Sequence, residues 1–137
     1  MAELVYTLEA DLPVAEFHAV MRASGLSERR PAEDPARDDA MLRHTSLIAT
    51  ARVDRALVGV ARALTDFGWH CYLADLAVDR AHAGRGIGRA LVVFVHAEAG
   101  SGTTLNLLAA PAAVGFYEAI GFERHPAAFI VPRWTRA

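Results

Sequence analysis

The sequence predicts an α/β (α+β) fold, and three features of the chain lead to that prediction. An apolar run at residues 73–78 enters a loop with three glycines, and an apolar-periodic run at Ile87–Ala99 leaves it, as in a strand, a loop and a helix. Strand-like residues 47–51 and 57–64 have a short link and predict a β-hairpin, although the link lacks glycine. The 137 residues have the length of one domain, so we expect a single domain over residues 1–137.

The first elements along the chain are a short strand and an amphipathic helix. Residues 4–8 alternate weakly between apolar and polar side chains and predict the first strand. We expect Asp11 to cap the helix that follows, with Pro13 in its first turn, and Gly25 to end it. The apolar side chains spaced for one face of this helix are Val14, Phe17, Val20 and Met21.

Residues 27–39 connect this helix to the hairpin and are dense in charge. They contain Pro31 and Pro35, so we expect a mobile loop, with a short helix at residues 38–44. The loop is either a solvated connector or a lid over a binding site, because loops often carry binding groups. The sequence favours neither interpretation over the other.

The second half of the chain contains the glycine loop and its neighbours. Residues 66–68 predict a turn and residues 69–78 a strand rich in aromatic and aliphatic side chains. The helix after the loop ends at Gly100, and its predicted stripe consists of Ile87, Leu91, Phe94 or Val95, and Glu98. The remaining predicted elements are a strand at residues 104–109, a short helix at 111–120 that Gly121 ends, and a last strand at 127–131.

Composition and charge exclude several classes of protein. The chain has no lysine, a net charge of −2 and a pI of about 6.3, so we expect no nucleic-acid partner. No segment approaches the ~20 apolar residues of a membrane span, and the N-terminus lacks a signal-peptide pattern. Cys71 is the one cysteine, which fits a reducing compartment, and no residues have metal-ligand spacing. We therefore expect a soluble cytoplasmic protein with no metal site.

The glycine loop has the features of an anion site. Glycine has no Cβ, so a ligand can approach the main chain closely, and unusual φ angles are tolerated. The first N–H groups of a helix lack intrahelical partners, and the helix dipole adds positive potential. Arg80, Arg85 and Arg89 add positive charge nearby. Together these features predict a site for phosphate.

Two common nucleotide-binding motifs fit this loop poorly. A P-loop needs a lysine followed by serine or threonine, and the chain contains no lysine. A dinucleotide motif needs a third glycine where Arg89 stands, and an acidic residue on the next strand, which residues 104–109 lack. A plain strand-to-helix turn needs one glycine rather than three.

Three segments in the right order resemble the GNAT N-acetyltransferases of the small, single-domain bacterial type. Gly86 and Gly88 stand in the glycine places of that family's R/Q-x-x-G-x-G/A signature. Residues 116–122, Phe-Tyr-Glu-Ala-Ile-Gly-Phe, are similar to its F-Y-x-x-x-G-F segment, and residues 72–79 are similar to its central strand. The resemblance covers the C-terminal half of the chain and implies a mixed, mostly antiparallel central sheet with helices on both faces.

The chain departs from the family pattern at two places. Ala83 occupies the usual R/Q position, so any contribution to phosphate binding there must come from its backbone N–H. The family often has an asparagine shortly before its Phe-Tyr pair, where residues 109–111 are Ala-Ala-Pro. If a side chain at position 83 matters, the affinity for coenzyme A should be weaker, and the two departures together leave a non-catalytic binding module possible.

The resemblance implies a site for acetyl-coenzyme A, the cosubstrate, between two splayed parallel strands, residues 69–78 and 104–109. The pantetheine arm would bond to the main chain at the end of the first strand, and the diphosphate would lie on the amides of the glycine loop. The binding residues implied are Leu76, Ala77, Val78, Ala83, Gly84, Arg85, Gly86, Ile87, Gly88, Arg89 and Phe116.

Three side chains are candidates for catalysis. Tyr117 matches the tyrosine that commonly protonates the leaving thiolate in the family, although a half-buried aromatic is the alternative. Asp75 lies on the central strand, and two roles are equally open for it. It is either a functional carboxylate, as a base or as the group that holds a cationic substrate, or a structural hydrogen-bond acceptor. His70 has a suitable intrinsic pKa for a base. Strand alternation predicts that His70 and Tyr72 face away from Asp75.

The resemblance therefore implies an acyltransferase that moves an acetyl group directly to a primary amine. A small-molecule acceptor is favoured because so short a chain has little room for a protein-docking surface. The alternatives are a protein N-terminal or lysine acetyltransferase and a non-catalytic acyl-coenzyme A-binding module. No membrane partner is expected. A homodimer is a possible assembly, because the apolar residues Phe129, Ile130 and Trp134 lie near the C-terminus.

Overall fold

The structure, a computed structural model, describes residues 3–25 and 32–133, which are built around one sheet. Its strands are β1 (Leu4–Leu8), β2 (Leu47–Val53), β3 (Ala56–Thr65), β4 (His70–Val78) and β5 (Thr104–Asn106). Its helices are α1 (Val14–Ser24), α2 (Pro35–Arg43), α3 (Ile87–Ala99) and α4 (Val114–Ala119), with 3₁₀ turns at Arg80–His82 and Pro111–Ala113. The described strands follow the spatial order β1-β2-β3-β4-β5. The pairs from β1 to β4 are antiparallel and β5 is parallel to β4, so the sheet is mixed, as expected.

Helices cover both faces of the sheet, which confirms the predicted fold class. On one face α3 packs against β2, β3 and β4, and its Leu91 and Val95 are fully buried there. On the other face α1 and α2 bury Phe17 and Leu42 against Val60. No helix in the described part of the chain is long and apolar enough to cross a membrane.

A β-bulge in β4 changes which side chains face which helix. Arg62 of β3 pairs with Asp75, but its neighbour Ala63 pairs with Leu73, so Ala74 is an extra residue in β4. Since side chains alternate along a strand, one extra residue reverses the alternation beyond it. The prediction that His70 and Tyr72 face away from Asp75 is therefore wrong. The register puts all three side chains on the face of the sheet that α1 and α2 cover.

In the first half of the chain, β1 has the predicted bounds and Gly25 ends α1 as predicted, with φ 84°. Asp11 is not the cap of α1, because the helix begins after Pro13, whose backbone is extended, and no side chain in the described part of the chain caps it. Helix α2 begins three residues before the predicted position because Asp34 caps it, accepting a hydrogen bond from the Arg37 N–H at 3.1 Å. Much of the predicted loop, residues 27–31, lies outside the described residues.

In the second half, α3 has the predicted bounds, but Glu98 of its expected stripe is exposed. Strand β5 ends at Asn106 rather than at residue 109. The predicted strand at residues 127–131 is wrong: the segment has no strand hydrogen bonds, and Phe129 is 92% exposed. Pro126 and Pro132 bracket this segment, and proline cannot donate a hydrogen bond to a sheet. Trp134 lies outside the described residues.

The β2–β3 hairpin is confirmed, and its turn explains how it forms without glycine. Val53 pairs with Ala56, which leaves Asp54 and Arg55 as a two-residue loop. Both have positive φ, 48° and 68°, which is what a type I′ turn requires. Arginine in this conformation is strained because its Cβ crowds the following carbonyl.

Replacing Arg55 with glycine should therefore stabilise the fold. We expect Arg55→Gly to raise the free energy of unfolding by about 1 kcal/mol, because it removes the strain of a left-handed residue with a Cβ. Urea denaturation measures this change, and Arg55→Ala is the control, since it loses the same side chain but keeps the Cβ. Equal stability of the two variants would contradict the assigned turn.

Candidate active site

A cleft opens in the sheet where β4 and β5 diverge. The two parallel strands pair at His70–Thr104, Cys71–Leu105 and Tyr72–Asn106, and β4 then continues to Val78 with no partner strand on that edge among the described residues. The cleft has a volume of about 200 Å³. Its lining consists of Leu73, Ala74, Asp75, Leu76, Leu107, Leu108, Ala109, Ala110, Ala113 and Tyr117.

The glycine loop follows the end of β4 and leads into α3. Gly84 and Gly86 have φ values of 79° and 76°, and a Cβ on either would meet no described atom within 4 Å, so the loop faces open space. No side chain of the described residues caps α3 at Gly86. The amides of the first turn of α3 are therefore available to an anion, and the phosphate site at this loop stays a prediction.

Gly88 has a different role from the two loop glycines. A Cβ on Gly88 would lie 3.1 Å from Cζ of Phe116, so the missing side chain lets α3 approach that ring closely. Phe116 in turn packs edge-on against Tyr117, with ring centroids 5.1 Å apart. Gly88 thus links the start of α3 to the aromatic pair of α4.

The other residues expected to bind the cofactor differ in what they can offer. The Ala83 N–H bonds to the Arg80 carbonyl at 3.2 Å, so this departure from the family signature leaves neither a polar side chain nor an uncommitted amide. Ile87 is fully buried and can offer only its main chain. Leu76 lines the cleft, whereas Ala77 is buried on the α1–α2 face.

Arginines place positive charge near the loop. Arg85 is exposed and donates from Nη1 to Nδ1 of His82 at 2.9 Å; a guanidinium only donates, so this His82 nitrogen accepts. Arg89 is exposed in the first turn of α3. Arg80 lies against Gly25 at the end of α1 instead.

Tyr117 reaches the cleft from α4. Its ring packs against Phe122, with centroids 5.4 Å apart, and against Phe116. Burial raises the pKa of the Tyr117 hydroxyl above its ordinary value, because the charged phenolate is poorly solvated there. The phenol therefore keeps its proton at neutral pH and can donate it to a group in the cleft.

Asp75 is held in a buried ion pair. Its Oδ2 accepts a hydrogen bond from Nε of Arg62 at 2.6 Å, and its side chain has no exposed surface. Arg62 also donates to Oγ1 of Thr45 at 3.3 Å. Proton uptake by Asp75 would leave the buried Arg62 without its countercharge, which favours a structural role over that of a base.

His70 and Cys71 do not contribute to the cleft lining. His70 is exposed at the first residue of β4, where its N–H bonds to Oδ1 of Asp66 at 3.0 Å. Three such amides lower the pKa of Asp66 to about 2. Cys71 is fully buried, and burial raises the pKa of its thiol, so it is not an activated nucleophile. The described residues contain no cluster of side chains suited to a metal ion.

The structure thus brings Tyr117 and Leu76 to one cleft, where Asp75 contributes only main chain because its side chain is fully buried, and leaves His70 outside it. Sequence reasoning missed Arg62 and the bulge at Ala74. Nothing in the sequence marks the bulge, but a charged residue inside an apolar strand, as Arg62 is, signals a buried partner.

Comparisons with known proteins bear on the family and the fold of this chain. A family model described as an acetyltransferase (GNAT) domain matches residues 44–124. The chloroplastic GCN5-related N-acetyltransferase 2 of Arabidopsis thaliana is 27% identical over 131 residues; the match covers 92% of this chain but 44% of that protein, so the chain spans less than half its length.

Two solved structures share the fold at low sequence identity. A GNAT-family acetyltransferase from Streptococcus pneumoniae superposes with a TM-score of 0.76 at 18% identity, over 96% of this chain and 100% of that one. The aminoglycoside N-acetyltransferase AAC(6')-Iy, solved in complex with CoA, gives 0.74 at 13% identity, over 97% and 96% of the two chains.

Removing Arg62 tests the buried ion pair. Arg62→Met should lower the free energy of unfolding by about 3 kcal/mol or more, because Asp75 is left as a buried charge. The exposed pair of Arg124 and Glu118, 3.1 Å apart, supplies the control: Arg124→Met should cost less than about 1 kcal/mol. Urea denaturation compares the two.

A double variant, Arg62→Met with Asp75→Leu, should recover most of the lost stability, since neither charge of this pair then remains buried. If the double variant is less stable than Arg62→Met alone, the loss of the ion pair does not explain the lower stability of Arg62→Met.

Proposed function

The chain belongs to the GNAT acetyltransferase family, and from that premise we propose that it transfers an acetyl group directly from acetyl-coenzyme A to a primary amine of a small molecule. Membership of this family makes the protein an acyltransferase. The proposed acetyl transfer to an amine rests mainly on the cleft between the diverging strands. Tyr117 lines this cleft, which leads along β4 to the open glycine loop.

The main chain of this protein offers two sets of groups to coenzyme A. Beyond Tyr72, β4 has an edge with no partner strand among the described residues, and the main chain of Leu76 to Val78 can pair with the amides of an extended pantetheine arm. The amides of residues 84–89 face open space and suit a diphosphate. Arg85 and Arg89 balance its charge.

The reaction requires one bond to form and one to break. The amine nitrogen forms a bond to the acetyl carbon and releases one N–H proton to solvent, the carbon–sulfur bond breaks, and the thiolate leaves with the electron pair; a proton from solvent restores the Tyr117 phenol afterwards. Tyr117 donates its proton to that sulfur; phenol and thiol have ordinary pKa values of about 10 and 8.5, which permits the transfer. The raised pKa of Tyr117 keeps the donor protonated at neutral pH.

The amine must be neutral to attack, and an alkylamine has a pKa near 10.4. Asp75 is fixed by Arg62, and we assign it the role of holding the bulge that shapes the cleft wall. The amine therefore loses its proton to solvent, and only its neutral fraction reacts.

A small acceptor is supported by a structural neighbour. The cleft itself, with a volume of about 200 Å³ and walls mostly of alanine and leucine side chains with exposed main-chain groups between them, is taken by the thioester arm in this proposal. An aminoglycoside N-acetyltransferase among the structural neighbours shows that the fold is used for small-molecule amines.

Tyr117→Phe tests the enzyme against a non-catalytic binding module. We expect kcat to fall by about 10²-fold or more, the usual contribution of a general acid, while the Kd for acetyl-coenzyme A stays the same. A thiol-release assay over a panel of amines measures turnover, and calorimetry measures binding.

Tyr6→Phe is the matched control, since Tyr6 lies on β1 and outside the cleft lining, and its turnover should match that of the unaltered protein. Full activity of Tyr117→Phe would remove Tyr117 as the acid. Tight binding with no turnover on any amine would identify a binding module, and turnover confined to peptides would identify a protein acetyltransferase.

The pH dependence tests how the amine loses its proton. We expect kcat/KM to rise about tenfold per pH unit below the amine's pKa, because the neutral fraction rises in that proportion, with no loss from Tyr117 ionisation below about pH 10. Asp75→Asn should lower the whole profile without changing its slope. A loss confined to neutral pH and recovered at high pH would instead make Asp75 the base.

A further inference from the structure

The end of α1 and the glycine loop meet at a contact that involves Gly25 and Arg80. Gly25 ends the helix in the left-handed conformation, with φ 84°, and its N–H bonds to the Arg22 carbonyl at 3.1 Å. A Cβ on residue 25 would lie 2.7 Å from Cζ and 3.2 Å from Nε of Arg80. The guanidinium of Arg80 therefore fills the space that a side chain at position 25 would need.

The charge of Arg80 suits this position. The last carbonyl groups of a helix lack intrahelical partners, and the helix dipole makes that end negative. A guanidinium on the last turn of α1 is therefore stabilised there.

The main chain of Arg80 is also tied to the loop. Its carbonyl accepts the Ala83 N–H at 3.2 Å, one residue before Gly84. The turn is fixed at its other end, where the Asp79 N–H bonds to the Val58 carbonyl at 2.8 Å and the Asp79 side chain accepts from the Ala81 N–H at 2.9 Å. The side chain of Arg80 thus joins a short, hydrogen-bonded turn to α1, and α1 itself packs on β4.

We propose that Arg80 is a positioning residue for the diphosphate site: seated on Gly25, it holds the Arg80–His82 turn against α1 and so sets where the amides of residues 84–89 lie. Gly25 and Arg80 act as one unit, since the glycine supplies the space and the helix end attracts the charge. This inference rests on the proposed function, because it assigns the loop to the diphosphate of coenzyme A.

Binding of two ligands separates this role from a general structural one. Coenzyme A carries the diphosphate, whereas pantetheine has the same thiol arm without it. We expect Arg80→Met to raise the Kd for coenzyme A about tenfold, as the loss of an outer support does at other ligand sites, and to change the Kd for pantetheine less than twofold. NMR titration with both ligands measures the two constants in the full chain.

Gly25→Ala tests whether Arg80 acts through α1 or by touching phosphate itself. The added methyl displaces the guanidinium but leaves its charge, so the Kd for coenzyme A should rise as in Arg80→Met, and the double variant should bind no worse than either single one. Gly100→Ala is the control: Gly100 has φ 110° and follows α3, but no side chain of the described residues occupies its Cβ space.

These measurements distinguish a failure of the role of Arg80 from a failure of the proposed function. If Gly25→Ala binds coenzyme A as Gly100→Ala does, if the effects of the two variants add, or if Arg80→Met weakens both ligands equally, the inference is overturned. If the unaltered protein does not bind coenzyme A, the proposed function itself fails; if it binds and the variants are unaffected, only the role of Arg80 fails.

Discussion

Strands β4 and β5 part after Tyr72 and Asn106, and both the cleft and its anion-binding end follow from that parting. Strand pairing satisfies main-chain polar groups, so its loss leaves donors and acceptors on β4 that must be satisfied by water or by an extended ligand. A fully paired β5 would leave no cleft. The same parting directs the end of β4 toward the glycine loop, so one backbone feature creates both the groove and its anion-binding end.

Several contacts shape the two walls of the groove. The extra residue Ala74 bends β4, and the buried ion pair of Arg62 with Asp75 fixes that bulge to β3. On the other side of the groove, Phe116 packs closely against Gly88, which places Tyr117 at the cleft. A site with walls fixed in this way needs little rearrangement to hold a thioester beside an amine.

The parts of the fold that were predicted from the sequence depend on local patterns. The bounds of β1 and α3, the hairpin and the loop glycines follow from alternation, helical periodicity and the conformational freedom of glycine. The order of three short motifs was enough to indicate the family that the comparisons confirm.

The parts that were missed depend on contacts between distant residues. The bulge at Ala74 arises from pairing with β3, and it reversed the expected facing of His70 and Tyr72. Asp75 as a candidate base could be weighed only once its partner, thirteen residues earlier, was known to be Arg62. Residues 127–131 have the composition of a strand, but strand formation requires a neighbour, and the sequence does not specify one.

Titration of the ¹⁵N-labelled protein with coenzyme A, followed by amide chemical shifts, shows whether the glycine loop and the end of β4 hold the cofactor. We expect saturable shifts at residues 84–89 and 76–78, with the far hairpin turn at Asp54 and Arg55 unchanged. Saturating coenzyme A that leaves the loop amides unmoved would contradict this binding site.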